Sequence, residues 1–158
     1  MIVFFAAFLA LITFWLHRRL VRATALPRPW SAVLIGGPTP QLAFGASEAE
    51  RLLSELAAFG AATRGGLLVT TSPRTPIDVS QTVAAGLSRM PNMPSLFLPF
   101  AHGGDNPYPA LLALADTFIV SADSASMLAE AATRQKPIHL FHLPKIPPKK
   151  KPGLKSAF

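Results

Sequence analysis

The chain has 158 residues, half of them hydrophobic, a formal net charge of +7 and no cysteine, which leaves room for one domain with a real core plus an appendage. The missing cysteines exclude disulfides and thiolate metal sites. Nine of the fifteen lysines and arginines lie at the two ends, whereas residues 31–144 set six against all eight acidic residues, so the folded part carries no basic nucleic-acid face and no nucleic acid is expected as a partner.

Residues 1–16, MIVFFAAFLALITFWL, have no charged side chain and run straight into His17, Arg18 and Arg19. With Leu20, Val21 and snorkelling arginines the run nears the roughly 20 apolar residues of a membrane span. A cleaved signal would place its basic residues before the run. Segment 1–22 therefore reads as an uncleaved anchor, with the Arg-rich flank and the following domain on the cytoplasmic side of a membrane, a bacterial inner membrane by expectation. The alternative is a short apolar helix buried against the domain in a cytoplasmic protein. Residues 23–30, with Pro27 and Pro29, read as a linker.

The domain follows over 31–144. A buried strand at 32–35 ends in Gly36-Gly37-Pro38-Thr39-Pro40, where the two glycines let the backbone come close to something, either a ligand phosphate or the next turn. Ser47 and Glu50 have capping-box spacing and open a helix with Leu52, Leu53, Leu56 and Phe59 on one face, closed by Gly60 and by Gly65-Gly66. After a strand at 67–70 comes Thr71-Ser72-Pro73-Arg74-Thr75-Pro76. Thr75 as N-cap, Pro76 at the first helical position and Asp78 two residues on make a helix start, with Val79, Val83 and Leu87 facing inward. Arg74, at the carboxyl end of that strand, either clamps a phosphate or carboxylate or pairs with Asp78.

A third strand at 95–100 leads into a loop with His102, which has no second histidine, carboxylate pair or ligand spacing beside it, so no metal is expected. Asn106-Pro107 caps a helix through Leu111, Leu112 and Leu114. A fourth strand at 117–120 is followed by Ser121, Asp123, Ser124 and Ser126, where a helix with Met127, Leu128 and Ala131 begins. Unpartnered N–H groups and the helix dipole make that corner a seat for a phosphate; the other reading is that Asp123 or Ser124 only caps the helix. A last strand at 137–141 precedes a proline- and lysine-rich tail, 145–158, disordered or draped over the surface. Its lysines and the N-terminal arginines share a sign suited to an anionic membrane surface.

Five buried strands separated by four helical stretches predict an α/β domain: an open, Rossmann-like parallel sheet with helices on both faces and right-handed crossovers. In such a sheet ligands collect outside the carboxyl ends of the strands, the edge on which the segments after the first four strands fall.

VLIGGPTPQLAF, TTSPRTP, HGGDNPYPALLALAD and VSADSASMLAEAATRQKPIHLF, which recur in order between Leu26 and Phe141, resemble the carboxyl-terminal half of the plant mitochondrial-fission (elongated-mitochondria) family and its bacterial relatives. That family is similar to GT-B glycosyltransferases, whose carboxyl-terminal domain binds a nucleotide-sugar donor. The resemblance implies that Glu130, seven residues before Pro137, contacts ribose hydroxyls, and that Ser124, Ser126 and the Gly36-Gly37 turn hold phosphates. Gln135 departs from the glycine usual before Lys-Pro, and Pro73 stands where a second basic residue is common. With the strand-end residues, the candidate ligand-binding set is Gly36, Gly37, Ser72, Arg74, Thr75, Asn106, Ser124, Ser126 and Glu130. No cofactor and no catalytic residue is implied. The expected function is a membrane-anchored donor-type domain taking a UDP- or GDP-sugar, completed by a partner chain that supplies the acceptor domain. Two alternatives stand beside it: a non-catalytic membrane-associated scaffold protein, or an inactive truncated product.

Overall fold

The structure, a computed structural model, describes residues 25–104 and 106–147. They alternate strand and helix throughout: β1 (Trp30–Ile35), α1 (Ala46–Thr63), β2 (Gly66–Thr71), α2 (Ile77–Ser88), β3 (Ser95–Leu98), α3 (Tyr108–Leu114), β4 (Thr117–Ser121), α4 (Ala125–Ala132) and β5 (Ile138–Phe141). All the strand pairs are parallel, in the order β3-β2-β1-β4-β5. The chain builds outward from β1 to β3, crosses back, and lays β4 on the other side of β1. The strand order therefore reverses between β1 and β4, and in open α/β sheets a crevice opens at the carboxyl ends of two such strands.

Strand alternation explains why helices cover both faces. Val33 and Ile35 of β1, Leu67 and Val69 of β2, and Ile119 of β4 join Leu52, Leu53 and Leu56 of α1 and Val79, Val83 and Leu87 of α2. Ala32, Leu34, Leu68, Phe118 and Val120 point the other way, against Leu111 and Leu112 of α3 and Met127 and Ala131 of α4. Each of the larger side chains among these, fully withdrawn from water, contributes about 1.5–3 kcal/mol before its loss of conformational entropy is subtracted.

Several boundaries differ from expectation for identifiable reasons. Helix α1 is capped two residues before the predicted box: Gly45 is the cap, so the third helical residue is Glu48, whose Oε2 accepts the Gly45 N–H at 2.9 Å. Ser47 turns its hydroxyl to Glu48 Oε1, and Glu50 faces Arg89 at 3.6 Å. Nor does Gly60 end the helix. It continues to Thr63 and closes on Arg64, which takes the left-handed conformation (φ +53°) and donates its N–H to the Gly60 carbonyl.

Residues 25–29 are not a free linker. Pro27 O accepts the Gly66 N–H at 2.7 Å, and Leu26 packs on the α3/α4 face of the core. At the other end, Lys145 forms an antiparallel bridge with Leu42, flanked by Ala43 N–H to Pro144 O and Ile146 N–H to Gln41 O, so the first residues of the expected tail are fastened to the β1–α1 loop. The expected anchor at 1–22 and the tail beyond residue 147 lie outside the described residues. Among the described residues no helix is long and apolar enough to cross a membrane.

Candidate functional site

Three strand-end loops are knitted together at the crevice. The Thr75 hydroxyl lies within hydrogen-bond distance of Ile35 O and Gly36 O and accepts the Ser72 N–H at 2.9 Å, tying the loop after β2 to the end of β1. The expected helix cap at Thr75 is therefore not made. Pro76 is the cap residue of α2, and the Thr75 hydroxyl is committed to the neighbouring loop.

The loop after β4 completes the knot. Ser121 Oγ accepts the Gly36 N–H at 2.8 Å, and Asp123 Oδ2 accepts the Gly37 N–H at 2.8 Å. Arg74 donates from Nη2 to the same Oδ2 at 3.0 Å, so its partner is Asp123 and not Asp78. Asp123 has no side-chain exposure while Arg74 keeps 48 %, and Asp123 Oδ1 finds no hydrogen-bond partner among the described residues. What the two glycines approach is thus the next turn. A Cβ on Gly37 would lie 2.1 Å from the Arg74 carbonyl oxygen, and the N–H groups of both glycines are occupied within the chain.

Outside this knot lies a cleft of about 380 Å³. Six of the nine candidate residues line it: Ser72, Arg74, Asn106, Ser124, Ser126 and Glu130. Gly36, Gly37 and Thr75 stand behind its wall. Neither Asp123 nor Ser124 caps α4 with its side chain, and Ser124 Oγ sits 3.4 Å from Ser126 Oγ, so the first turn of α4 presents N–H groups without a side-chain partner beside two hydroxyls. Asn106 accepts the Tyr108 N–H at 3.1 Å through Oδ1, fixing the start of α3.

The sequence did not mark the apolar part of this wall. Phe100, Tyr108 and Met127 line the cleft together with Arg74 and Glu130. Met127 carries the period of an inward helix face, and only the position of α4 beside the crevice gives it a second role. The Tyr108 hydroxyl is buried without a hydrogen-bond partner among the described residues. Its pKa is pushed up to about 12, by burial first and then by the negative charge of Glu130, so it stays protonated at neutral pH. His102 lies outside this wall, exposed, with its ring edge-on to Phe100 at 5.0 Å. Among the described residues no group of three or more His, Asp or Glu side chains is placed to hold a metal. A second groove, about 410 Å³, runs along α1 and β5 past Leu56, Phe59, His139 and Leu140.

This fold and cleft define a Rossmann-like α/β domain with a ligand-sized opening at the point where the strand order reverses. The family described as mitochondrial fission ELM1 matches residues 15–156, and the chain belongs to that family. It is 35% identical over 118 residues to mitochondrial fission protein ELM1 of Arabidopsis thaliana, an alignment that covers 73% of this chain and 26% of the plant protein. The chain thus spans about a quarter of the length of that relative. Among solved structures it is similar to the universal stress protein of Archaeoglobus fulgidus, with a TM-score of 0.46 and 14% identity over 72% of this chain and 93% of that one. The same protein in complex with dAMP gives 0.46 and 15%, over 72% and 97%.

Proposed function

We propose that this domain of the mitochondrial fission ELM1 family binds a UDP- or GDP-sugar, as the donor-binding half of a glycosyltransferase-like protein. The observation that carries the reading is the convergence, in one cleft at the carboxyl edge of the sheet, of an exposed guanidinium, the uncapped start of a helix and a carboxylate one helical turn further along. A guanidinium and free N–H groups suit a diphosphate. A carboxylate accepts from the vicinal hydroxyls of a ribose. The apolar side chains in the same lining, Phe100 and Met127, give a base or sugar ring a surface to lie on. In this reading Arg74, Ser72, Ser124 and Ser126 take the phosphates and Glu130 the ribose.

Among the described residues the titratable side chains of the cleft are Arg74, Tyr108 and Glu130, with no histidine and no carboxylate pair suited to moving a proton to or from an acceptor. Transfer would therefore need an acceptor-binding domain from elsewhere, on a partner chain, with residues 1–22 holding this domain at the cytoplasmic face of a membrane. A second reading, a non-catalytic interaction protein, is favoured by the groove along β5, whose lining is mostly apolar.

The test is the thermal stability of the full chain against UDP-, GDP- and CMP-sugars. A ligand at 100 times its dissociation constant adds about 2.7 kcal/mol to the native state. A rise in melting temperature with one nucleotide class, lost in Glu130→Ala, supports the donor site; a folded chain that none of them stabilises overturns it.

A further inference from the structure

We infer that Asp123 is an internal anion occupying a phosphate seat at the end of β1, and that it determines where a ligand's phosphates can lie. The seat consists of the Gly37 N–H and the Arg74 guanidinium, a backbone donor and a cation converging on one point. Such a pair is what a phosphate oxygen requires, and here one carboxylate oxygen, Asp123 Oδ2, already takes both donors.

Two observations separate this arrangement from an ordinary surface ion pair. The Asp123 side chain is wholly buried, and its second oxygen has no hydrogen-bond partner among the described residues. A carboxylate chosen only to fasten loops would satisfy both oxygens, because a buried acceptor left unmet is costly. The glycine at position 36 is also fitted to the carboxylate. A Cβ there would stand 1.9 Å from Oδ2 and 2.7 Å from Oδ1. The turn is thus packed directly against the carboxylate, with no room for a side chain at position 36, and the chain supplies that anion in cis.

The consequence for binding is one of exclusion. A phosphate cannot enter the seat without expelling Asp123 or standing beside its charge. Arg74 spends one N–H on Asp123 and, 48 % exposed, keeps others for the cleft. A ligand's phosphates are therefore held outside the glycine turn, between Arg74 and the start of α4. That consequence rests on the donor-site reading above; the filled seat does not.

The seat is tested on the full chain with inorganic phosphate and with formate, against chloride at equal ionic strength. Asp123→Ala empties it, and its melting temperature is expected to fall and then to rise again with formate or phosphate, by clearly more than the wild type rises over the chloride control. Replacing Arg74 by Gln in the Asp123→Ala chain is expected to abolish the rise. If Asp123→Ala does not fold, Asp123→Asn carries the test, since the amide oxygen still accepts from Gly37 but the charge is gone. Phosphate affinity is then expected to increase by about tenfold or more, as removal of a nearby like charge implies.

Folded variants that respond to phosphate no more than the wild type, or a wild type that responds as strongly as they do, overturn the inference. Sugar-nucleotide protection sensitive to Glu130→Ala is read separately. Its absence, with phosphate binding to Asp123→Ala intact, counts against the donor reading alone.

Discussion

Gly36 and Asp123 are packed so closely that a single methyl group on the glycine would lie 1.9 Å from the carboxylate oxygen Oδ2. They lie at the ends of adjacent strands, β1 and β4, where Ser121 Oγ also takes the Gly36 N–H. Gly36→Ala must push the carboxylate off Gly37 and Arg74 or move the strand end. Overpacking of this kind typically costs about 1–3 kcal/mol. Because Asp123→Ala removes the obstructing group, the two substitutions are expected to be non-additive, with Gly36→Ala costing less in the Asp123→Ala chain. A double-mutant cycle by urea unfolding measures the coupling; strict additivity would mean that the two loops do not constrain each other.

Tyr108 is the chain's only tyrosine, so phenolate absorbance reports on it without interference. The expected titration midpoint is about 12 in the native protein against 10 in the unfolded chain. Glu130→Gln should lower the native midpoint, because it removes the negative charge that opposes phenolate, yet leave it above 10, because burial is the larger cause. The sign for stability follows. The native state holds the proton more tightly than the unfolded state, so the contribution is fully present below pH 10 and is lost as pH rises through 12. Tyr108→Phe should flatten the loss of stability across that window. An ordinary midpoint in the native protein would place the hydroxyl in water.

The order of strands and helices was legible because the apolar runs are short, separated by turn residues, and consistent with a parallel sheet at every step. Edges were less so. Glu48 and Glu50 both stand near the helix start, and only the backbone of Gly45 decides which one caps. The candidate site was legible as an edge: Ser72, Arg74, Asn106, Ser124, Ser126 and Glu130 come together because parallel strands put all their carboxyl ends on one side. The partnership of Arg74 with Asp123 was not. The two are 49 residues apart, and Asp78 was the nearer carboxylate in the chain. Thr75 illustrates the same limit. Its position before a proline suits a cap, but the hydroxyl is drawn to the Ile35 and Gly36 carbonyls at the end of β1, which no local pattern brings near.

Glu48 gives an acid-side prediction. Its carboxyl is held below the usual range chiefly by the Gly45 N–H, against the opposing effect of burial and with further help from the Ser47 hydroxyl. A lowered native pKa contributes stability above the unfolded value, and that stability is lost as pH falls through the native one. Glu48→Ala should therefore destabilise at neutral pH by about 0.5–1 kcal/mol, within the range of helix-capping losses, and the gap to the wild type should close as the solution is acidified below the ordinary carboxylate range. Chemical denaturation at neutral and acidic pH measures the gap. A gap unchanged by acid would assign the loss to helix propensity and not to the cap.

The amino end of β1 is fixed by Asp116. Asp116 Oδ2 accepts the Trp30 N–H at 2.7 Å, and its two oxygens take Arg28 Nη1 at 2.7 and 2.8 Å, while the Arg28 guanidinium lies 4.1 Å from the Trp30 ring centre. The ion pair is largely exposed, so its direct worth is small, about 0–1 kcal/mol. The half-buried Trp30 N–H matters more, since an amide left without an acceptor costs about 1–3 kcal/mol. Asp116→Ala is accordingly expected to cost more than Asp116→Asn, whose amide oxygen still accepts, and added salt should weaken only the Arg28 part. If Asn and Ala are equally damaging in urea unfolding, the charge and not the amide acceptor holds the strand end. The expected ordering would show residues 25–29 held at the amino end of β1 by the Trp30 amide and not by the exposed charge pair.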